Sequence, residues 1–529
     1  MKKIFGLFSK ENSIRGASLI LIITLTLSNL LGLFRDRFLA KNIDTYYLDI
    51  YYASFRIPDL IFNFLILGAI TSAFIPIFSD FIAKREIARG YKLTNSLINL
   101  AVLGMTFFAI LLFFLMPYLV PLVVPKFETD RLEQVIKISR LLMLTPIFFS
   151  MSYIIGGVLN SFNRFLAYSL SPIVYNLSII FGAAFLAPKY GLISVVYCVV
   201  AGAFLHFLIQ LPAAIKLGFK YNFRLDIYDP AIKKIVKLMV PRTVGMGVNQ
   251  LMLIGFTAIA SSLAAGSITA FELSNNIQTM PIVVFGSSFA TAIFPTLTSR
   301  ISRDDKEGFS FYLNKAMKSM AMLIIPSMIV FILLRAQIVR LILGSGKFGW
   351  EDTRMTALTL GFFATSLIAQ ALIPLLARAF YALKNTKTPM YIAICSAVVS
   401  IALAYPFSRL IGVAGLALAF SVGSYFNAIT LFLFLRKFSP GILNRSIIYA
   451  YLKIILIAIV MGIFTWLTMH QVSSLVDMQR FTGVFIQTTV SLVVAGCVYL
   501  VLSIVIHPEE LRWAFAFKKD VKKASESDS

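Results

Sequence analysis

Charge is scarce in this chain, and acidic charge is scarcest. Only 14% of the 529 residues are charged, against about 25% in an ordinary soluble domain. No hydrophilic stretch is long enough to fold as a soluble domain by itself. There are three cysteines. Cys198, Cys395 and Cys497 each lie inside an apolar segment, far apart in sequence. That excludes a disulfide framework and predicts buried free thiols. His206, His470 and His507 are equally scattered, and no HExxH or CxxC spacing occurs, so nothing supports a metal site. A Walker motif, a nucleophile triad, a phosphate-cradling glycine loop and a redox-cofactor site are all missing. ATP is therefore not expected as the direct energy source. No small-residue cleavage site follows the basic start Met1-Lys2-Lys3 and its apolar run. The first helix reads as an uncleaved insertion signal.

What remains is hydrocarbon. The chain is 59% hydrophobic, with mean hydropathy +0.85. An α-helix needs about 20 apolar residues to cross a bilayer, and such windows recur from Leu19 to Ile506 with short polar breaks. The expectation is an all-α polytopic membrane protein with about fourteen spans. They are read at 16–38, 58–82, 95–124, 136–160, 166–187, 191–214, 235–264, 268–299, 315–343, 355–382, 389–410, 412–436, 447–470 and 482–506. The net charge of +24 is then topological, since Lys and Arg collect in cytoplasmic loops. Basic clusters follow spans two (Lys84, Arg85, Arg89), six (Lys216, Lys220, Lys233), eight (Arg300, Arg303, Lys306) and twelve (Arg436, Lys437). Lys2 and Lys3 at one end and Lys518 to Lys523 at the other share that side. Both termini are expected in the cytoplasm. The opposite loops are short or charge-poor, except 335–354. Basic residues spread over so many loops argue against nucleic acid and for contact with anionic membrane lipids.

A weak internal repeat runs through the spans. Thr71-Ser-Ala-Phe-Ile-Pro76 resembles Thr291-Ala-Ile-Phe-Pro295. Asn163-Arg164 precedes Pro172 as Lys384-Asn385 precedes Pro389, and Gly191 and Gly412 open the helices that follow. An offset of about 220 residues, or six spans, gives two lobes in the same orientation. Transporters of that build bind substrate between the repeats near the midplane. The expected organisation is an N-lobe at 1–225, a C-lobe at 226–440, two further spans at 441–507 and a polar cytoplasmic tail at 508–529. That tail has a candidate interfacial helix at Leu511-Arg512-Trp513. The two lobes are expected to relate by pseudo-two-fold symmetry.

A charge within an apolar run must be tolerated for a reason. Span one carries Ser28-Asn29 and then Arg35-Asp36-Arg37. Arg35 and Asp36 form a pair that either lines a hydrated cavity or marks a helix end with snorkelling arginines. Asp49, then Arg56-Ile57-Pro58-Asp59, enter span two. There Arg56 serves either as an interfacial residue or as a planar donor fork for phosphate oxygens. In span seven Arg242 and Asn249 share a helical face. In span eight Glu272 and Ser274-Asn275-Asn276-Ile277-Gln278 concentrate polar groups that must face protein or water. Arg35, Asp36, Asp49, Arg56, Arg242, Asn249, Glu272, Asn275 and Asn276 are the candidate substrate-binding residues.

At these residues the chain resembles the MurJ/MviN family of the MOP exporter superfamily, over roughly 15–440. The marks are Gly32-Leu33-Phe34-Arg35-Asp36, Asp49 with Arg56-Ile57-Pro58, and Ala73-Phe74-Ile75-Pro76. Leu159-Asn160 with Asn163-Arg164-Phe165, Gly346-Lys347-Phe348, and Tyr381 with Lys387-Thr388-Pro389 complete them. The resemblance implies a flippase for lipid II, the undecaprenyl-diphosphate-linked peptidoglycan precursor, in the bacterial inner membrane. It further implies alternating access, driven by a coupling cation (Na+ or H+) or the membrane potential, with cell-wall synthesis proteins as candidate partners. Three departures stand out. Where the family often has an arginine, this chain has Asn29 and Phe62-Asn63, and where it often has an Asp-Arg pair, this chain has Asn275-Asn276. Arg35, Arg56 and Arg242 are then the remaining sources of positive field. The alternatives are a flippase for another polyprenyl-diphosphate oligosaccharide or a drug–cation antiporter of the MATE kind. An antiporter of cations would favour carboxylates over arginines in its cavity. An integral glycosyltransferase or a non-transporting scaffold fits less well, because no loop is long enough for a catalytic domain.

Overall fold

The computed structural model describes residues 14–64, 74–438, 440–442 and 445–506, and among these every regular element is helical. The chain forms two units, one of residues 1–269 with 345–348, the other of 270–344 with 349–529.

In the first unit, α1 (Ile14–Asn42) is followed by α2 (Thr45–Ser54), α3 (Arg56–Phe62) and α4 (Ile75–Ala83). Next come α5 (Ile87–Val123), α6 (Thr129–Leu142), α7 (Leu144–Ser161) and α8 (Phe165–Phe181). A π-helical turn (Gly182–Leu186) joins α8 to the short α9 (Ala187–Tyr190). Then follow α10 (Leu192–Leu208), α11 (Leu211–Lys216) and α12 (Pro230–Ala260). Helix α13 (Ser267–Pro281) begins in this unit and continues into the second.

The second unit holds a π-helical turn (Ile282–Ser287), α14 (Ser288–Ser302), α15 (Lys306–Leu333) and α16 (Arg335–Leu343). It continues with α17 (Trp350–Ala364), α18 (Leu367–Ala382), α19 (Lys387–Ile411) and α20 (Val413–Phe438). It closes with α21 (Arg445–Ser473) and α22 (Phe481–Ile506).

Ten helices among the described residues are long and apolar enough to cross a membrane, or eleven if α17 and α18, bent by 47°, form one span. The other three expected spans fall on α1, on α3 and α4 around the undescribed 65–73, and on α12. Outward faces are apolar: Phe114 and Leu122 on α5 are 68% and 70% exposed, and Val505 on α22 is 74% exposed. Apolar surfaces on spans of this length suit lipid, and each helix satisfies its own backbone polar groups, as hydrocarbon demands.

The helix breaks repeat in detail. Arg85 and Asn163 in the first unit adopt φ of 59° and 57°, and Asp304 and Lys384 in the second adopt 56° and 58°. Each is followed by a residue whose N–H reaches back to the helix just ended: Glu86 to Phe81 O, Arg164 to Leu159 O, Asp305 to Arg300 O, and Asn385 to Phe380 O. This is the left-handed helix cap in which late carbonyls regain a donor. Gly191 and Gly412 likewise share φ of 67° and 64°. The repeat offset of about 220 residues thus reappears in backbone conformation. Of the other repeat motif, Thr71 to Ala73 lie outside the described residues, as do the Leu511-Arg512-Trp513 segment and the terminal lysine clusters.

Each unit has its own core. Phe74, Phe78, Ile154 and Val158 centre the first; Ile293, Leu313, Leu375 and Phe380 centre the second. In hydrocarbon, apolar contact alone gives helices little reason to associate, so close packing and hydrogen bonds carry the association. Helices α21 and α22 dock on α15 in this way. Ala458 and Ala495 allow close approach, and the Tyr499 hydroxyl donates to Met322 O at 2.6 Å. One expectation is corrected. All three cysteines are free, but only Cys198 is buried; Cys395 and Cys497 are exposed. An apolar run does not say which helical face meets lipid, and a thiol is apolar enough for either side.

Candidate functional site

On α1 the guanidinium of Arg35 folds back onto its neighbour. Nε and Nη2 donate to Asp36 Oδ1 at 3.0 and 2.8 Å, and Nη1 donates to Asn176 Oδ1 on α8 at 3.3 Å. Adjacent residues of a helix do not normally face each other, and here only the length of the arginine arm permits it. Asn176 in turn donates through Nδ2 to Ser28 O and Ser28 Oγ. The Asp36 side chain is 2% exposed and that of Arg35 22%. Three of the five guanidinium N–H groups are thereby engaged, which leaves two donors without a partner in this cluster. The cluster is a positioned, partly exposed cation paired with Asp36.

Asp49 sits differently. Its carboxylate accepts from Gly266 N at 2.7 Å, Thr269 N at 2.8 Å and Thr269 Oγ1 at 2.8 Å, at the first turn of α13. Arg131 Nη2 approaches at 3.4 Å and also donates to Tyr46 O. The Arg131 guanidinium lies 4.1 Å from the Tyr46 ring centroid and 3.7 Å from that of Phe127. Asp49 is therefore occupied with holding a helix start and a buried arginine. Arg56 is also interior, 7% exposed, with Nε donating to Thr257 Oγ1 at 2.7 Å.

Arg242 lies on α12, but its side chain is outside the described residues. Asn249, on the same helix, is exposed. On α13 the polar run divides. Ser274 and Gln278 are fully buried. Ser274 Oγ donates to Thr356 O, Gln278 Nε2 to Asn275 Oδ1, and Gln370 Nε2 to Gln278 Oε1 and Ser366 Oγ. That side is a hydrogen-bonded seam between helices. Glu272, Asn275 and Asn276 are half-buried.

The sequence reading did not single out Asn176, Arg131, Thr257 or Gln370. Asn176 had a faint signal, since α8 carries Ser169, Ser171, Asn176 and Ser178 around Pro172 in an otherwise apolar run. The other three carried none that composition could separate from loop or helix polarity. The absence of arginine at Phe62 has a local reason. Phe62 is 9% exposed and packs on Phe149 and Tyr153 at 5.6 and 5.4 Å between ring centroids.

A bundle of this many apolar helices, broken at repeated places and carrying engaged charges within its spans, belongs to the class of polytopic membrane transporters. A solved multidrug resistance MATE family transporter of the MOP superfamily, inward-facing, shares the fold with TM-score 0.66 at 14% identity, over 78% of this chain and 95% of that one. The sequence profile of the lipid II flippase MurJ family matches residues 44–491, and the chain belongs to that family. It is similar to the lipid II flippase MurJ of Burkholderia cenocepacia, 29% identical over 429 residues, covering 78% of this chain and 81% of the relative. It is 26% identical over 494 residues to the probable lipid II flippase MurJ of Buchnera aphidicola subsp. Schizaphis graminum, covering 92% and 95%. A solved lipid II flippase MurJ in an inward closed conformation superposes with TM-score 0.78 at 27% identity, over 93% of this chain and all of that one. The protein is thus a multi-pass transporter of the bacterial inner membrane and not an enzyme.

Proposed function

We propose that this protein flips lipid II across the inner membrane by alternating access, with both termini in the cytoplasm and with lobes at 1–225 and 226–440. Family membership supports the substrate class. The observation that carries the reading is the Arg35 cluster. A diphosphate is expensive to desolvate, and charge-assisted hydrogen bonds from a planar fork offset that cost. Asp36 and Asn176 hold Arg35 in one orientation while leaving it partly accessible. An anion can meet those remaining donors without first ordering the side chain. Glu272, Asn275 and Asn276 on the second unit and Asn249 on the first are candidate polar contacts for the sugar-peptide, and Arg242 is a candidate second cation. Asp49 and Arg56 serve by fixing helices. The basic loops support the orientation.

The test is lipid II translocation in proteoliposomes. Arg35→Ala is expected to abolish flipping while the protein stays folded and inserted. Arg35→Lys is expected not to restore it, because an ammonium lacks the fork. Full flipping by Arg35→Ala would remove Arg35 from the binding machinery.

A further inference from the structure

The segment 335–354 is the basic exception among the segments expected on the side away from the termini, and the structure shows where one of its cations, in the turn between α16 and α17, goes. Residues 345–348 lie within the first unit, although both flanking segments belong to the second. Lys347 N donates to Lys41 O at 3.0 Å at the end of α1. Gly346 takes φ of 64°, and a Cβ there would collide with the Lys41 carbonyl. The segment is thereby seated by backbone, which leaves the Lys347 side chain free to serve elsewhere. It lines a cavity of about 500 Å³ within the first unit, together with Asn42, Tyr47, Gln134, Lys137 and Tyr190. That volume falls within the usual range for small-ligand sites, roughly 300–1,000 Å³.

The lining has a definite chemistry. Lys137 and Lys347 make no side-chain hydrogen bond or ion pair among the described residues, and both are exposed. The one acid, Asp44, accepts from Tyr46 N at 2.9 Å as the cap of α2. Tyr47 and Tyr190 are 45% and 57% exposed as residues, with Tyr46 edge-on to the Tyr47 ring at 5.2 Å and Lys189 Nζ 5.1 Å from the Tyr190 ring centroid. Flat aromatic faces suit the apolar faces of sugar rings, and their hydroxyls can pair with polar edges. Amides at Asn42 and Gln134 add donors and acceptors. The ends of α1 and α9, the starts of α2 and α10 and the middle of α6 line it, on the side away from the N-terminus in the proposed orientation.

We propose that this cavity is an extracytoplasmic subsite for the acidic sugar-peptide headgroup of the lipid substrate, with Lys137 and Lys347 taking a carboxylate and the tyrosines a sugar ring. The proposal rests on the flippase reading and its orientation. It differs from the Arg35 cluster in position and in preferring carboxylate and sugar over diphosphate.

The probe is the water-soluble disaccharide-pentapeptide without diphosphate or polyprenyl chain, titrated into full-length protein in nanodiscs. The unaltered protein should bind it. K137E/K347E should weaken binding by about tenfold or more, as the loss of two exposed charge contacts implies, with K137Q/K347Q intermediate. Gly346→Ala should weaken it too, by displacing Lys347 while both lysines remain. Binding by K137E/K347E equal to that of the unaltered protein would overturn the proposal, as would displacement of the probe by an equal concentration of inorganic pyrophosphate. Lipid II flipping is scored separately on the unaltered protein: flipping without probe binding overturns this subsite alone, and probe binding without flipping overturns the flippase reading alone.

Discussion

Replacing Asp49 by alanine should unfold the protein more readily rather than merely weaken substrate binding. The carboxylate serves two backbone N–H groups, one hydroxyl and one guanidinium. Removing a side-chain cap from a helix start costs about 0.5–2 kcal/mol. Removing one partner of a buried ion pair costs about 3–5 kcal/mol, because the other charge stays buried. The Arg131 contact is long at 3.4 Å, and the guanidinium keeps Tyr46 O and two rings. The lower end of the second range is therefore expected, and about 3.5–5 kcal/mol in total. That is a large part of a stability of about 5–15 kcal/mol. A double-mutant cycle separates the two sources. With Arg131→Met added, no uncompensated charge remains, so the pair should be less destabilised than the sum of singles by about 1–3 kcal/mol. The assay is thermal unfolding of purified protein in detergent. Unchanged melting of Asp49→Ala, together with strict additivity, would refute the structural role and return Asp49 to the substrate site.

Three other outcomes are expected. Asn276→Arg should be tolerated and should tighten lipid II binding if Asn276 borders the headgroup site; burial between helices would instead cost several kcal/mol, and thermal stability with lipid binding on one purified sample decides. In a background lacking Cys198, Cys395 and Cys497, cysteines at Lys220 and Lys306 should resist an impermeant thiol reagent in intact cells; ready labelling of both would reverse the orientation. Asp305 caps α15 by accepting from Gly308 N and stands beside Arg300, which holds its carboxyl below the ordinary carboxylate range. Its contribution is therefore complete above about pH 4 and lost as pH falls through the lowered value, so Asp305→Asn should flatten the acid limb of a stability–pH profile, and an unaltered limb would count against the cap.

How far sequence reached depended on the range of the interaction involved. The spans were legible because the bilayer imposes a local demand, about 20 apolar residues in a row. The helix breaks at Asn163-Arg164 and Lys384-Asn385 were legible too, because a left-handed cap is decided by a few neighbouring residues. Arg35 and Asp36 stood out because a charge in hydrocarbon needs a reason wherever its partner lies.

What those charges do was decided elsewhere in the chain. Asn176 lies 141 residues from Arg35 and Arg131 82 residues from Asp49, and no local rule names such partners. Asp49 and Arg35 look alike in sequence, as charges at the edge of apolar runs. Tertiary packing gave Asp49 a full set of donors and left Arg35 partly open. The same holds for Lys347, whose place in the first unit depends on a backbone bond to Lys41 across some 300 residues. Sequence thus determined that the chain spans a membrane, where its helices break and which charges are anomalous, because those follow from local hydrophobicity and backbone preference. Only the tertiary structure decided which anomalous charges are spent on holding helices and which stay partly exposed, because that depends on which distant groups packing brings within hydrogen-bonding distance.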